Sequence, residues 1–386
     1  MIKIGVRNNL LYPSLFILSV FLRRMIKFIL EFEKLINYKA PFLLSLLMFF
    51  FEFILGGIMS YLHNTKKIFK KPNKILGIKL IVNNEEIKRK NSITTIFLLI
   101  LVAAIVAFIG ALTRRYIADY ETTQITIRLR SFEILVSSIL SYFLLNSKIE
   151  RHHLFSLIII SICLLFGVII EFVFIDAYKT VLIGLLILFV STLTRAILDI
   201  IEKYLFDENF IDVFKLTSFE GFIDTVFCCI AYSFKEPRNE IKDLIYKKIP
   251  IIITAIIILI LYGLLSFFKN IYRRHTLIEY SPMTRALAES ILDPLLIIFY
   301  YLLDSFYNVS KNDKNKNKII YHFIMILILS MIMVFCSLVY NDFFVLYFCD
   351  LEKETYVEVC KRSTSDNNLI DDASSDNEKE LKKFQK

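Results

Sequence analysis

The chain has 386 residues, 56% of them hydrophobic, with a mean hydropathy of +0.59 and a net charge of +9. An ordinary soluble domain is roughly 45–50% apolar, so a composition this rich excludes a soluble fold with a polar surface. The positive charge does not indicate a nucleic-acid partner, because much of the excess falls between apolar runs rather than on an amphipathic surface.

Apolar runs long enough to cross about 30 Å of hydrocarbon as a helix recur along the chain. A run such as PIIITAIIILILYGLLSFF at 250 to 268 is continuously apolar, which separates it from the short alternating strands of a barrel. In chain order the predicted spans are 41 to 62, 93 to 113, 125 to 146, 154 to 174, 180 to 201, 211 to 234, 250 to 268, 283 to 303 and 320 to 347. Ahead of them, LLYPSLFILSVFL is only 13 residues long before Arg23, Arg24 and Lys27 interrupt it. Two readings of 10 to 30 stay open: a span whose basic residues snorkel, or a helix lying in the interface.

Between the first two firm spans, 63 to 92 carries Lys66, Lys67, Lys70, Lys71, Lys74, Lys79, Lys88, Arg89 and Lys90 against Glu85 and Glu86. The positive-inside rule assigns that loop to the cytoplasm. Ten spans then put both termini, and the loops near Glu150, Asp207 and Arg273, on the same side. From 349 the composition turns polar, and this tail is predicted to be a disordered cytoplasmic extension. Cys163, Cys228, Cys229 and Cys336 lie in apolar runs, and neither CxxC nor a Cys/His cluster with zinc spacing occurs, so no metal or cofactor is expected.

Ionisable residues inside the spans carry the functional signal, since each costs on the order of 2.5–3.5 kcal/mol at a helix centre. Arg195, Asp199 and Glu202 recur at i, i+4 and i+7 and share one helical face; Arg285, Glu289 and Asp293 repeat the device. Glu220 and Asp224 form a further i, i+4 pair, the 125 to 146 span holds Arg128, Arg130 and Glu133, and Glu52 sits alone among phenylalanines. The stretches 93 to 113, 154 to 170, 250 to 268 and 323 to 341 contain no charge. Charged faces converging on a shared polar cavity, with the uncharged helices outside them, would satisfy both classes. Internal ion pairs that only fix helix packing are the plainer reading. Arg128, Lys203, Lys215 and Arg285 lie near predicted span ends, where snorkelling is expected, whereas Glu52, Asp199, Glu220 and Glu289 lie deeper.

LRSFEILVSSILSYFLLNSKIERHHLFSLIIISICLLFGVII (129 to 170), EKYL (202 to 205), FEGFIDTVF (219 to 227), SPMTRALAES (281 to 290) and PFLLSLLMFFFEF (41 to 53) form an ordered series. That series resembles the drug/metabolite transporter superfamily of EamA-like proteins, and within it the F branch of the nucleotide-sugar-transporter-like solute carrier family 35. The resemblance covers roughly 40 to 347. It implies an all-α polytopic membrane protein of about ten transmembrane helices built as two inverted five-helix repeats, 1 to 175 and 176 to 348. Helices one to four and six to nine would surround a central cavity, with five and ten peripheral. Two departures stand out: the first helix lacks the family's small and polar residues, and Leu292 occupies a position where a second basic residue is common.

The function expected is alternating-access movement of a small polar solute, nucleotide-sugar-like or another metabolite, in an endomembrane compartment. A homodimer is left open and no nucleic acid is involved. The expected substrate-binding residues are Glu52, Arg130, Glu133, Arg195, Asp199, Glu202, Glu220, Asp224, Arg285, Glu289 and Asp293. Glu220 is preferred over Glu289 as a proton-coupling group because Arg285 lies one turn from Glu289. A non-transporting scaffold or trafficking protein of the same fold is the alternative. A membrane enzyme ranks lower, since no H-E-x-x-H, G-x-S-x-G or P-loop motif occurs.

Overall fold

A computed structural model describes residues 2–4, 11–32, 41–64, 92–119, 132–145, 149–174, 178–233, 249–307 and 316–346. Arg128, Arg130, most of the basic 63 to 92 loop, and the tail lie outside the described residues. The described part is almost entirely helical. Its helices are α1 (Leu11–Phe32), α2 (Pro41–Asn64), α3 (Ile93–Asp119), α4 (Phe132–Leu144), α5 (Arg151–Phe174), α6 (Tyr178–Asn209), α7 (Val213–Ala231), α8 (Ile249–Glu279), α9 (Pro282–Ser290), α10 (Asp293–Tyr307) and α11 (Lys316–Tyr340). Five of them, α2, α3, α5, α8 and α11, are long and apolar enough to cross a membrane, which points to a membrane protein.

Three boundaries differ from the sequence-based expectation, each for a local reason. The expected span at 283 to 303 is two helices. Pro294 lacks the N–H that would bond the Ser290 carbonyl and its ring would crowd that carbonyl, so the helix breaks between Ser290 and Asp293. By contrast, α8 does not stop at 268. No proline interrupts it before Pro282, and it runs 31 residues to Glu279, about 46 Å at 1.5 Å per residue. Finally, α11 ends at Tyr340, and Phe344–Leu346 (β2) instead pairs antiparallel with Ile2–Ile4 (β1), placing the start of the chain beside the end of α11.

The stretch at 10 to 30 is a 22-residue helix packed on α8 and α9, with Phe16, Ser19 and Val20 buried. Arg23 and Arg24 turn inward instead of snorkelling. Elsewhere α2 packs on α7, α3 on α6, α4 on α6 and α9, and α5 on α11. The α2–α7 crossing brings backbone onto backbone: a Cβ added at Gly221 would lie 2.6 Å from the Phe53 nitrogen, and one at Gly56 3.0 Å from the Ser218 nitrogen. The Ser218 hydroxyl donates to the Phe53 carbonyl at 3.2 Å across the same crossing. Small residues allow this approach where no hydrophobic difference drives helices together. The uncharged helices turn apolar faces outward, as with Phe97, Leu98 and Ile105 of α3, Leu165, Phe166 and Ile169 of α5, and Ile328 and Met331 of α11.

Candidate functional site

The face bearing Arg195, Asp199 and Glu202 belongs to α6, whose buried stripe faces α4, α8 and α9. From α4 comes Glu133, from α7 Glu220, and from α9 Arg285 and Glu289. These residues join in one chain of alternating charge. Arg195 donates to Glu289 at 2.8 Å and to Glu133 at 3.2 Å. The other Glu133 oxygen accepts from Arg285, which also donates to Asp199 and, at 3.1 Å, to Glu289. Asp199 accepts from Arg273 at 2.6 Å, and Arg273 reaches Glu202 at 2.5 Å. Glu202 accepts from Arg274 at 3.0 Å, and Arg274 ends the chain on Glu220 while donating to the Thr217 hydroxyl at 2.5 Å.

Asp199, Glu202 and Arg285 are fully buried, and Glu133, Glu220, Glu289, Arg273 and Arg274 nearly so. Burying that many charges roughly breaks even against apolar residues of similar volume, so the chain of pairs is weak evidence for stability alone. It does supply many alternative partners at short range. Arg285 is thus a correction: it does not snorkel at a span end but sits at the centre, bonded to three carboxylates. Lys215 is exposed, as its position predicts, and Lys203 caps the end of α8 by donating to the Leu277 carbonyl at 2.8 Å.

Beside this chain lies a cavity of about 50 Å³, room for roughly three to five water-sized spheres at 10–15 Å³ each. Its lining includes Glu52 from α2, Arg195 from α6, Glu220 and Asp224 from α7, Arg273 and Arg274 from α8, and Glu289 from α9. Asn270 donates to Glu52 from α8. Asp293 is buried on the far side of the helix break, where Arg24 lies 3.9 Å from it and 3.8 Å from Glu289. The cavity therefore gathers five of the eleven predicted residues: Glu52, Arg195, Glu220, Asp224 and Glu289. Glu133, Asp199, Glu202 and Arg285 support it from the ion-pair chain, and Arg130 lies outside the described residues.

Two buried carboxylate oxygens on this wall, Glu220 Oε1 and Asp224 Oδ1, and Glu202 Oε2 in the ion-pair chain beside it have no hydrogen-bond donor among the described residues. Buried acceptors of this kind call for a donor from a bound molecule or water.

Sequence reasoning misses five lining or pairing cations. It leaves Lys269, Arg273 and Arg274 in a loop beyond 268, and Arg23 and Arg24 at an interface. Arg23 lines the cavity and donates to the Tyr262 hydroxyl at 2.6 Å with its guanidinium 4.9 Å over that ring. The signal that could have found the α8 cations is periodicity: Lys269 with Arg273, and Asn270 with Arg274, repeat at i, i+4 on one face of α8, without a breaker before Ser281–Pro282. Glu220 is also less available than expected, because Arg274 occupies one of its oxygens. In comparisons with known proteins, no family model matches the chain and no curated protein matches it significantly.

Proposed function

We propose that this chain is a multi-pass membrane transporter that moves a small polar solute by alternating access through the interior cavity. The observation that carries the reading is the cavity itself. Residues from both halves of the chain line it, it borders a broken helix, and its wall presents buried carboxylate oxygens without donors among the described residues. Discontinuous helices at mid-depth are a recurring way to build solute sites in transporters.

The helix pairings support two inverted five-helix repeats. Counting α9 and α10 as one broken span makes α11 the tenth, and advancing each helix by five carries the most extensive pairings onto one another. The α1–α8 pair becomes α6–α3, the α2–α7 and α5–α11 pairs return themselves, and α2–α8 becomes α7–α3. This correspondence supports the reading of two repeats that rock against each other. The β1–β2 pairing sets residues 2–4 beside 344–346, which fits an even number of spans with both ends on one side. The basic 63 to 92 loop supports a cytoplasmic assignment for that side by the positive-inside rule.

The solute carries hydrogen-bond donors, and a nucleotide-sugar-sized molecule requires the cavity to open well beyond its volume here. Reconstituted full-length protein should show saturable uptake of one member of a panel of nucleotide sugars, nucleotides, amino acids and amines. Asp224→Asn and Glu220→Gln should abolish that uptake without unfolding the protein. A folded wild-type chain that moves nothing in the panel would favour a non-transporting scaffold.

A further inference from the structure

The last residue before α5 and its first turn meet the end of α11 in a cluster that the interior cavity does not use. The donor atoms of Glu150, His152 and His153 lie within 4.8 Å of one another. We propose that these three side chains bind a divalent transition-metal ion of the zinc class, with Asp342 as the carboxylate behind His152, and that the ion braces the start of α5 against the end of α11.

Adjacent residues on a helix project about 100° apart, so neighbouring histidines do not ordinarily face one another. Here the His152 and His153 rings lie 4.0 Å apart. The His153 ring also packs on Tyr340 at 4.5 Å, and the Tyr340 hydroxyl is 2.6 Å from that of Ser138. The backbone N–H of Glu150 donates to His153 Nδ1 at 3.1 Å, which puts the neutral ring's lone pair on Nδ1, the atom that takes the ion in exchange for this hydrogen bond.

His152 supplies an independent observation. It is 2% exposed, yet neither ring nitrogen makes a hydrogen bond among the described residues. Each nitrogen instead faces a carboxylate: Nε2 lies 3.0 Å from Asp342 Oδ1, and Nδ1 lies 3.6 Å from Glu150 Oε2. A neutral imidazole has one N–H and can offer it to one carboxylate alone. With the proton on Nε2 toward Asp342, the Nδ1 lone pair points at an anionic oxygen, a repulsive arrangement that a cation between them reverses. Zinc bonds of about 2.0–2.2 Å to nitrogen and oxygen at a tetrahedral angle set those two atoms about 3.4 Å apart. The 3.6 Å gap matches that span.

The outer carboxylate is held in place as well. Asp342 has φ of 59°, a left-handed conformation that non-glycine residues adopt sparingly, and it directs the side chain back at His152. A carboxylate behind a ligating imidazole fixes its tautomer and strengthens it as a donor. Mixed imidazole and carboxylate ligands select a borderline divalent ion, and two carboxylates with two neutral imidazoles cancel its charge. The brace reaches the interior by one step: Asn341, next to Asp342, accepts from the Thr284 hydroxyl at 2.7 Å, immediately before Arg285 on α9.

The test uses the untagged full-length chain, purified in detergent and stripped of metal, titrated with Zn²⁺ by calorimetry and with Co²⁺ by visible absorption. The expected result is one Zn²⁺ per chain, a tetrahedral cobalt spectrum, and a higher unfolding temperature in Zn²⁺. Glu150→Gln and His153→Gln should each remove the binding, and Asp342→Asn should weaken it by about 10–100-fold. Because His152 is buried and its loss can prevent folding, the proposal stands or falls on the wild-type chain and on the Glu150 and His153 variants. Absence of binding to folded wild-type protein at millimolar Zn²⁺ would overturn the proposal. One-to-one binding undiminished in both Glu150→Gln and His153→Gln would overturn it equally.

Discussion

Two regions of the interior hold carboxylates in opposite ways. Around Arg285, the groups from α4, α6 and α9 are saturated: Glu133 accepts from Arg285 and Arg195, Asp199 from Arg285 and Arg273, and Glu289 from Arg285 and Arg195. Along α2 and α7, Glu52, Glu220 and Asp224 face the cavity with a single arginine, Arg274, bonded among them, and Asp224 Oδ1 and Glu220 Oε1 lack donors among the described residues. The first region fixes how four helices meet. The second leaves chemistry available to something that enters. The same residue types thus serve as structure or as site according to how many guanidinium groups each carboxylate accepts from: two for Glu133, Asp199 and Glu289, one for Glu220 and none for Glu52 or Asp224 among the bonds described.

The largest expected effect comes from breaking the saturated region. Arg285→Leu leaves three buried carboxylates without their central partner, and removing one member of a buried ion pair costs about 3–5 kcal/mol. Thermal unfolding in detergent should fall steeply or the protein should fail to fold. A melt equal to wild type would remove the contrast between the regions.

A smaller loss is expected where the cavity wall is anchored on α2. Gly221→Leu drives a side chain into the α2 backbone at Phe49 and Phe53, and overpacking of this kind costs about 1–3 kcal/mol. Gly57→Ala is the matched control, since its Cβ would meet only the Ser218 hydroxyl, at 3.4 Å, and its melt should stay near wild type. Equal melts for the two variants would show that the close α2–α7 crossing does not hold the wall.

The smallest change in stability belongs to the available region. Asp224→Asn keeps the volume and replaces an unsatisfied carboxylate oxygen, so the melt should move by less than about 1 kcal/mol while solute uptake is lost. Glu133→Gln should show the reverse balance, with a clear loss of stability because Arg195 and Arg285 each lose an ionic partner. If Asp224→Asn destabilises as much as Glu133→Gln, the α7 carboxylates are structural too.

Much of this is legible without the fold. Apolar run length alone marks α2, α3, α5, α8 and α11 as spanning candidates, because crossing hydrocarbon demands about 20 apolar residues whatever the neighbours are. The i, i+4 spacing puts Arg195 with Asp199, and Arg285 with Glu289, on shared faces, and those faces do meet. Periodicity names a face without saying what it faces, however, and charge near a predicted span end reads as snorkelling unless a partner is known. Arg273 and Arg274 find theirs on α6 and α7, and Arg24 on α9 and α10, at sequence separations that no local pattern spans.

The break at Pro294 has a local cause, a missing N–H and a crowded carbonyl, although hydropathy alone reads 283 to 303 as one span. Placing Glu289 and Asp293 on either side of that break, against Arg24, required the packed helices. The cluster at Glu150 shows the same limit. Glu150, His152 and His153 have no zinc-type spacing, and Asp342 comes from the other end of the chain, brought to His152 by the α5–α11 contact. The sequence by itself determined which segments are long and apolar enough to cross a membrane and which faces carry charge, because hydropathy and helical period are local quantities. Which charges are neutralised, and which oxygens remain for a ligand, was decided by tertiary structure alone, because ion pairing depends on distances of a few ångströms between residues far apart in the chain.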